Sequence, residues 1–298
     1  MDIIIHADDF GITLSQSKDI LACSAACGGA GALNSTSALV TSPAFAECAA
    51  FAHPFVDAGC IRMGLHLNLV EGPALSAAED APLLVGEDGR FRCGFAQMLL
   101  LSGGRERYAL TRQVRHEARA QIRAFLDAFP GLKGRLRVDS HQHFHLIPAV
   151  FDGLLAAVQD EGCTLEYLRI PAEPLGPYLK APEVRKRVTP VNLVKNALLN
   201  ALWRQCASRY PETLPVPARF YGLALSGCMQ HAADKTFLER VFEDAAREGR
   251  DVELLFHPGG VPSEDACLDS SLKGFCAFYL SPNRTAEAEA LHRLLLDV

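Results

Sequence analysis

The feature that most constrains this chain is a repeated ending. Short apolar runs, several of them β-branched, stop one after another at an Asp, a His or an Arg. Ile3-Ile4-Ile5-His6-Ala7 stops at Asp8-Asp9-Phe10-Gly11, and the run from Cys60 to Leu67 carries His66 near its end. Arg135 to Ser140 leads through Asp139 into His141-Gln142-His143-Phe144-His145, Leu165 to Ile170 carries Arg169, and Val252 to Phe256 passes into His257-Pro258-Gly259-Gly260. Further strands are predicted at 37–40 and 220–225, and helices at 15–27, 43–51, 106–129, 149–161 and 235–248. Strands alternating with helices at this spacing predict βαβ units and a parallel sheet, open or closed into a barrel. In such folds the carboxyl ends of the strands converge on one rim, so these residues are expected to meet there although they lie far apart in sequence.

At roughly 150 residues per domain, 298 residues allow one domain or two, and a single large α/β barrel is equally admissible. No internal repeat or interdomain linker stands out, so the chain reads as one domain, 1–298, with insertions at about 71–104 and 172–218 where Gly and Pro break the rhythm. Segments this long are usually functional, and Phe91, Tyr178 and Phe220 are candidates to stack on a bound ring, with ordinary packing as the alternative. A composition of 49% hydrophobic and 21% charged residues excludes a disordered chain or a coiled coil. The net charge of −6, without basic clusters, argues against a nucleic-acid partner. Of the ten cysteines, which show no CxxC spacing, most read as buried thiols of a reduced, cytoplasmic protein. The first residues lack the pattern of a signal peptide, and no stretch approaches the roughly 18 apolar residues of a membrane span.

The polar residues at the strand ends each admit a structural and a chemical reading. Asp8-Asp9 can be a turn or a helix cap, or one carboxylate can bind a metal while its neighbour accepts a proton from water. If the chain stays extended after Asp139, then Asp139, His141, His143 and His145 share one face, and such density points to a metal ligand with partners that orient it. His66 could complete a set of two histidines and one aspartate, which leaves coordination positions open for water and substrate. His257 is either incidental to a Pro-Gly turn or a general acid. Arg169 is either a substrate clamp or one half of an ion pair. His6, His53, His116, His231 and His292 read as structural.

Taken in order, His6-Ala7-Asp8-Asp9-Phe10-Gly11, Gly64-Leu65-His66-Leu67-Asn68-Leu69, Asp139-Ser140-His141-Gln142-His143-Phe144-His145, Arg169-Ile170-Pro171 and His257-Pro258-Gly259 resemble the YdjC-like carbohydrate deacetylase family, which includes chitooligosaccharide deacetylases and a hopanoid-associated branch. The resemblance spans nearly the whole chain. It departs from the family at His6, where Asn is frequent, and at Asn68, which varies between relatives and bears on substrate preference. It implies a distorted (β/α) barrel and hydrolysis of an N-acetyl group from an acetylated amino sugar or short oligosaccharide. It also implies Asp9, His66 and His141 as metal ligands, Asp8 as general base, His257 as the acid that protonates the departing amine, and a homodimer as an expectation. Asp139, His143, His145, Arg169 and Asn68 remain second-rank positions near substrate or ligands. Magnesium follows from the resemblance, whereas two imidazoles and a carboxylate suit zinc or another transition metal. The competing readings are another metal-dependent barrel hydrolase, such as a phosphoesterase or amidohydrolase, and a sugar-binding scaffold without turnover.

Overall fold

A computed structural model describes residues 1–297 of the chain. Its first apolar run forms the interior of a parallel sheet. Strands β1 (Ile3–Phe10), β2 (Ser35–Ala38), β3 (Arg62–Leu67), β4 (Leu136–Ser140), β5 (Leu165–Leu168), β6 (Arg219–Tyr221) and β7 (Val252–Phe256) run in the order β5-β4-β3-β2-β1-β7-β6, every pairing parallel. β1 is buried from Ile4 onward and β7 throughout, as strands covered on both faces require.

The sheet curls into a half-barrel whose edges are β5 and β6. In a flat sheet β5 and β7, five strand positions apart, would be separated by about 24 Å at the usual strand spacing. Yet the Tyr167 hydroxyl on β5 donates to Glu253 on β7, and Arg169, just beyond β5, reaches the same carboxylate. Contact across the interior is possible only if the sheet bends round on itself. The fold is thus the parallel α/β barrel type that the strand-end pattern implies, left open between β5 and β6.

Several elements differ from expectation at their ends. The first helix stops at Ala22, and a separate 3-10 turn over Ala25–Cys27 closes at left-handed Gly28. The second helix runs over Phe45–Asp57, through Pro54. Helix Lys235–Glu248 and strand β7 have the predicted bounds, with the Asp234 side chain capping the helix at the Phe237 N–H (2.9 Å). The largest difference lies in 172–218, which folds into helices Gly176–Lys180, Pro182–Arg185 and Pro190–Cys206. Pro177, Pro182 and Pro190 occupy first-turn positions, where a missing N–H costs no helical hydrogen bond. There the prolines start helices instead of breaking them.

The 71–104 segment is pinned by buried polar side chains of helix Arg107–Ala128. Glu117 accepts from Leu75 N (3.2 Å) and Ser76 N (2.7 Å), and Gln113 accepts from Leu83 N (2.8 Å). Paired in this way, buried acceptors organise the irregular stretch that precedes the segment's own helix, Phe95–Gly103. Among the described residues no helix is long and apolar enough to cross a membrane.

Candidate functional site

β1 ends in an irregularity that separates its two aspartates. The pairing with β2 shifts register between Ala7 and Phe10, and Asp9 takes φ 67°, a left-handed conformation rare for a side-chain-bearing residue. The neighbouring carboxylates therefore serve different partners. Asp9 Oδ1 lies 3.3 Å from His141 Nδ1 and 3.7 Å from His66 Nε2, and these two ring nitrogens are 3.4 Å apart. Asp8 faces His6, Arg169 and His257 instead.

Asp9, His66 and His141 form a group that could hold a metal ion, and the donor chemistry fits one. Donors about 2.1 Å from a shared ion lie roughly 3.0–3.5 Å apart at octahedral or tetrahedral angles, close to the separations seen here. The outward atom of each donor residue has its own partner. Arg284 donates to Asp9 Oδ2 (2.6 Å), and His66 Nδ1 lies 2.6 Å from Asp139 Oδ1. His141 Nε2 lies 3.3 Å from Glu71 Oε1. A carboxylate can only accept, so His66 carries its proton on Nδ1 and turns the lone pair of Nε2 inward. Burial pulls His141 down, but hydrogen bonds to Asp9 and Glu71 outweigh it and push the imidazole up to about 10. The space between these donors is a seat for positive charge. Around it five buried carboxylates, Asp8, Asp9, Glu71, Asp139 and Glu253, face two buried guanidiniums, Arg169 and Arg284. A divalent cation would offset that excess.

Arg169 is the hub behind the site. Fully buried, it places Nη1 2.8 Å from Asp8 Oδ1 and Nη2 3.0 Å from Asp139 Oδ2, and both Nε and Nη2 lie 2.7 Å from Glu253 Oε1. Burial raises the Asp8 carboxyl, but the adjacent guanidinium overrides it and holds Asp8 well below the usual carboxylate range. His6 completes the hub, its Nε2 being 3.3 Å from Asp8 Oδ1 and 3.2 Å from Asp139 Oδ2. A histidine expected to be structural thus bridges two site carboxylates.

A cavity of about 980 Å³ opens over these groups, lined among others by Asp8, Asp9, His141, His143, His257 and Phe275. His257 Nε2 stands 3.9 Å from Asp8 Oδ2, and its backbone N–H donates to Glu287 Oε2 (2.6 Å). Burial pulls this imidazole down to about 4, so it is neutral at neutral pH. Residues of the 71–104 segment (Asp88 to Phe95) and of the Pro190–Cys206 helix (Lys195, Leu198, Leu199) form part of the wall. Phe91 lines the cavity, whereas Tyr178 and Phe220 are buried behind it.

The histidine run does not continue as a strand. After Ser140 the backbone turns, with Gln142 at φ 54° and His143 at φ 59°, so the expected shared face is lost. His143 reaches the cavity and packs edge-on to Phe220, while His145 turns away to Ser140 Oγ (2.5 Å) and the Arg169 carbonyl (2.8 Å). Asn68 is fully buried and shapes a turn, binding Thr41 Oγ1 (2.9 Å), the Glu71 carbonyl (2.7 Å) and the Val70 N–H (3.1 Å). Sequence reasoning missed Glu71, Glu253, Tyr279, Arg284 and Glu287. None of them sits at the carboxyl end of a strand: Glu71 lies in the turn beyond β3, Glu253 inside β7, and the other three in the C-terminal helices Lys273–Tyr279 and Asn283–Asp297. The available signal was weak: Glu71, Glu253 and Glu287 each stand alone between apolar or small neighbours, and nothing local marks Tyr279 or Arg284.

Comparison with known proteins gives a consistent picture. The family model described as YdjC-like protein matches residues 2–293. A carbohydrate deacetylase of Mus musculus is 30% identical over 279 residues, covering 89% of this chain and 81% of the relative. A chitooligosaccharide deacetylase of Klebsiella pneumoniae (strain 342) is 26% identical over 259 residues, covering 87% and 82%. The match to a carbohydrate deacetylase of Danio rerio is 29% identical over 174 residues and covers 58% of this chain and half of that protein. A solved structure from Enterococcus faecalis V583, described as a candidate cellobiose-phosphate cleavage protein, shares the fold with a TM-score of 0.57 at 22% identity, covering 98% of this chain and 90% of that one.

Proposed function

Because the chain belongs to the YdjC-like family, we propose that it is a metal-dependent hydrolase that removes the N-acetyl group from an acetylated amino sugar or short oligosaccharide. The observation that carries this reading is the convergence of Asp9, His66 and His141 beside Asp8 and His257 at one cavity. Asp9, His66 and His141 would hold one divalent ion, magnesium by resemblance and zinc or another transition metal by donor type. Held there, a divalent ion would supply Lewis acidity toward an amide carbonyl and a water molecule.

The chain's own residues divide the proton work. Asp8, kept ionised by Arg169, accepts the proton of the attacking water. Arg169 also makes Asp8 a weak holder of that proton. His257, neutral and 3.9 Å away, has the higher proton affinity and relays it to the departing nitrogen. The acid of the resting protein is therefore unloaded, and it is charged by the reaction itself. Arg169 and Arg284, the buried cations nearest the site, are engaged by carboxylates and so are not free to clamp an anionic group of the substrate. The reading takes residues 1–298 as one domain, since one apolar core runs through elements from Ile5 to Leu294. Ten free thiols fit a reducing compartment such as the cytoplasm.

The test is acetate release from N-acetylglucosamine oligomers with magnesium, zinc or cobalt added. Asp9→Ala is expected to lose bound metal. Asp8→Asn is expected to keep it and lose about 10²–10⁴-fold in kcat. Cleavage of phosphate esters with no acetate released would refute the proposal.

A further inference from the structure

We propose that Glu71 is a positioning residue that fixes the tautomer of His141, an inference that rests on the metal-centre reading above. The two ligand histidines approach the centre through opposite ring nitrogens, His66 by Nε2 and His141 by Nδ1. Each therefore needs a proton acceptor behind the other nitrogen, or the wrong nitrogen can carry the hydrogen. For His66 that acceptor is Asp139, on the neighbouring strand β4. For His141 it is Glu71, whose Oε1 lies 3.3 Å from Nε2.

The chain goes to some length to put Glu71 there. It follows β3 through the turn that Asn68 builds, with Asn68 Oδ1 accepting from Val70 N (3.1 Å) and Glu71 N (3.3 Å). Gly72 then leaves in a left-handed conformation (φ 72°) against Leu268, where a Cβ would lie 3.2 Å from the Leu268 backbone. Tyr279, fully buried in a small apolar cluster with Ile12, Leu39, Val261 and Leu268, donates its hydroxyl to Glu71 Oε1. That hydroxyl lies 3.4 Å from His141 Nε2 as well. The Nε2–H thus points between a carboxylate oxygen and a phenol oxygen, both held in place.

Fold stability gives no reason for this carboxylate. Glu71 is fully buried, and its Oε2 has no hydrogen-bond partner among the described residues. A buried, half-paired carboxylate is costly unless positive charge lies nearby, and the space between Asp9, His66 and His141 is where such charge would sit.

The experiment measures Co²⁺ affinity and the visible absorption of bound Co²⁺ in the full chain, with thermal unfolding of each variant recorded alongside. Wild type, Asp9→Ala, Glu71→Ala, Glu71→Gln and Tyr279→Phe are compared. Glu71→Ala is expected to weaken Co²⁺ binding about 10–100-fold and to change the absorption bands. Glu71→Gln, which keeps an acceptor for Nε2–H but removes the charge, is expected to weaken binding less. Tyr279→Phe is expected to lose less affinity than Glu71→Ala, and it tests the same tie if Glu71→Ala fails to fold. A merely structural role would lower the unfolding temperature and leave the Kd and spectrum of the folded variants at wild-type values, which overturns the proposal. Loss of binding in Asp9→Ala with unchanged Glu71 variants would overturn this inference and leave the metal reading standing. A wild-type protein that binds no Co²⁺ would overturn both.

Discussion

Replacing Arg169 with Met is the most demanding single test of the charge arrangement. The guanidinium is fully buried and touches the carboxylates of Asp8, Asp139 and Glu253 at 2.7–3.0 Å. Removing one partner of a buried ion pair costs about 3–5 kcal/mol, because the remaining charge is left uncompensated in a poor solvent for ions. Here three carboxylates lose their cation together, so the loss at pH 8 is expected to be no smaller than that range. It is large against a total stability of about 5–15 kcal/mol. The pH dependence identifies the cause. In the native protein burial raises Asp8 and Asp139, but Arg169 holds both below the usual carboxylate range. Their contribution is therefore present above the unfolded pKa of about 4 and is lost only as pH falls below it. Without Arg169 burial is opposed chiefly by His6 and His66, so the carboxyls move up, the variant takes up protons on folding and its deficit shrinks as pH falls from 8 to 5. Each extra proton bound recovers about 1.4 kcal/mol per pH unit. The assay is urea unfolding of both proteins at pH 5, 6.5 and 8, with Glu253→Gln added to the variant to remove one stranded charge and recover part of the loss. A deficit below about 1 kcal/mol, or one equal at all three pH values, would refute the reasoning.

Three further outcomes follow from other parts of the structure. Burial pushes Glu173 up to about 7 against hydrogen bonds from Tyr178 and the N–H groups of Gly222, Leu223 and Ala224, so its contribution is full below the unfolded pKa of about 4.3 and declines as pH rises toward 7. Denaturation of wild type and Glu173→Gln across pH 5–8 should then show the stability gap between them narrowing by up to about 3 kcal/mol, and a constant gap contradicts the assignment. Gly259→Ala should cost more than Gly28→Ala although both have left-handed φ, because a Cβ at 259 would lie 2.8 Å from the Gln16 carbonyl while nothing lies within 4 Å at 28. About 1 kcal/mol is expected at 28 and more than about 2 at 259, and thermal melts showing equal losses would remove the steric argument. Arg284→Met removes the bond to Asp9 Oδ2 and those to the carbonyls of Gly259 and Phe278, so it should lower urea stability by about 3 kcal/mol and weaken retention of bound metal by plasma-emission analysis; unchanged values for both would count against the clamp.

The strand ends were legible because local chemistry writes them into the chain. A β-branched run flanked by turn residues reads as a strand wherever it stands, and β7 and the helix before it appear with the predicted bounds. The prolines of 172–218 misled for the opposite reason, since the same residue breaks one helix and starts another according to its position. The condition that the run after Asp139 stays extended is not met, and strand alternation cannot reveal where the backbone turns left-handed, as it does at Gln142 and His143. Tertiary contacts hold that turn, with Ser140 and the Arg169 carbonyl fixing His145 beyond it.

By itself the sequence determined the strand–helix alternation, the parallel sheet and the rim on which Asp8, Asp9, His66, His141 and His257 gather. Each strand end is written by residues near one another in the chain, and the parallel topology then brings those ends to one rim. Only the tertiary structure decided which atom of each residue faces the centre and what stands behind it. The backing groups Glu71, Glu253, Tyr279, Arg284 and Glu287 reach the site from a turn, from a strand interior and from the C-terminal helices. A buried charge or imidazole is set by its neighbours in space, and folding alone brings residues 9 and 284, or 71 and 279, into contact.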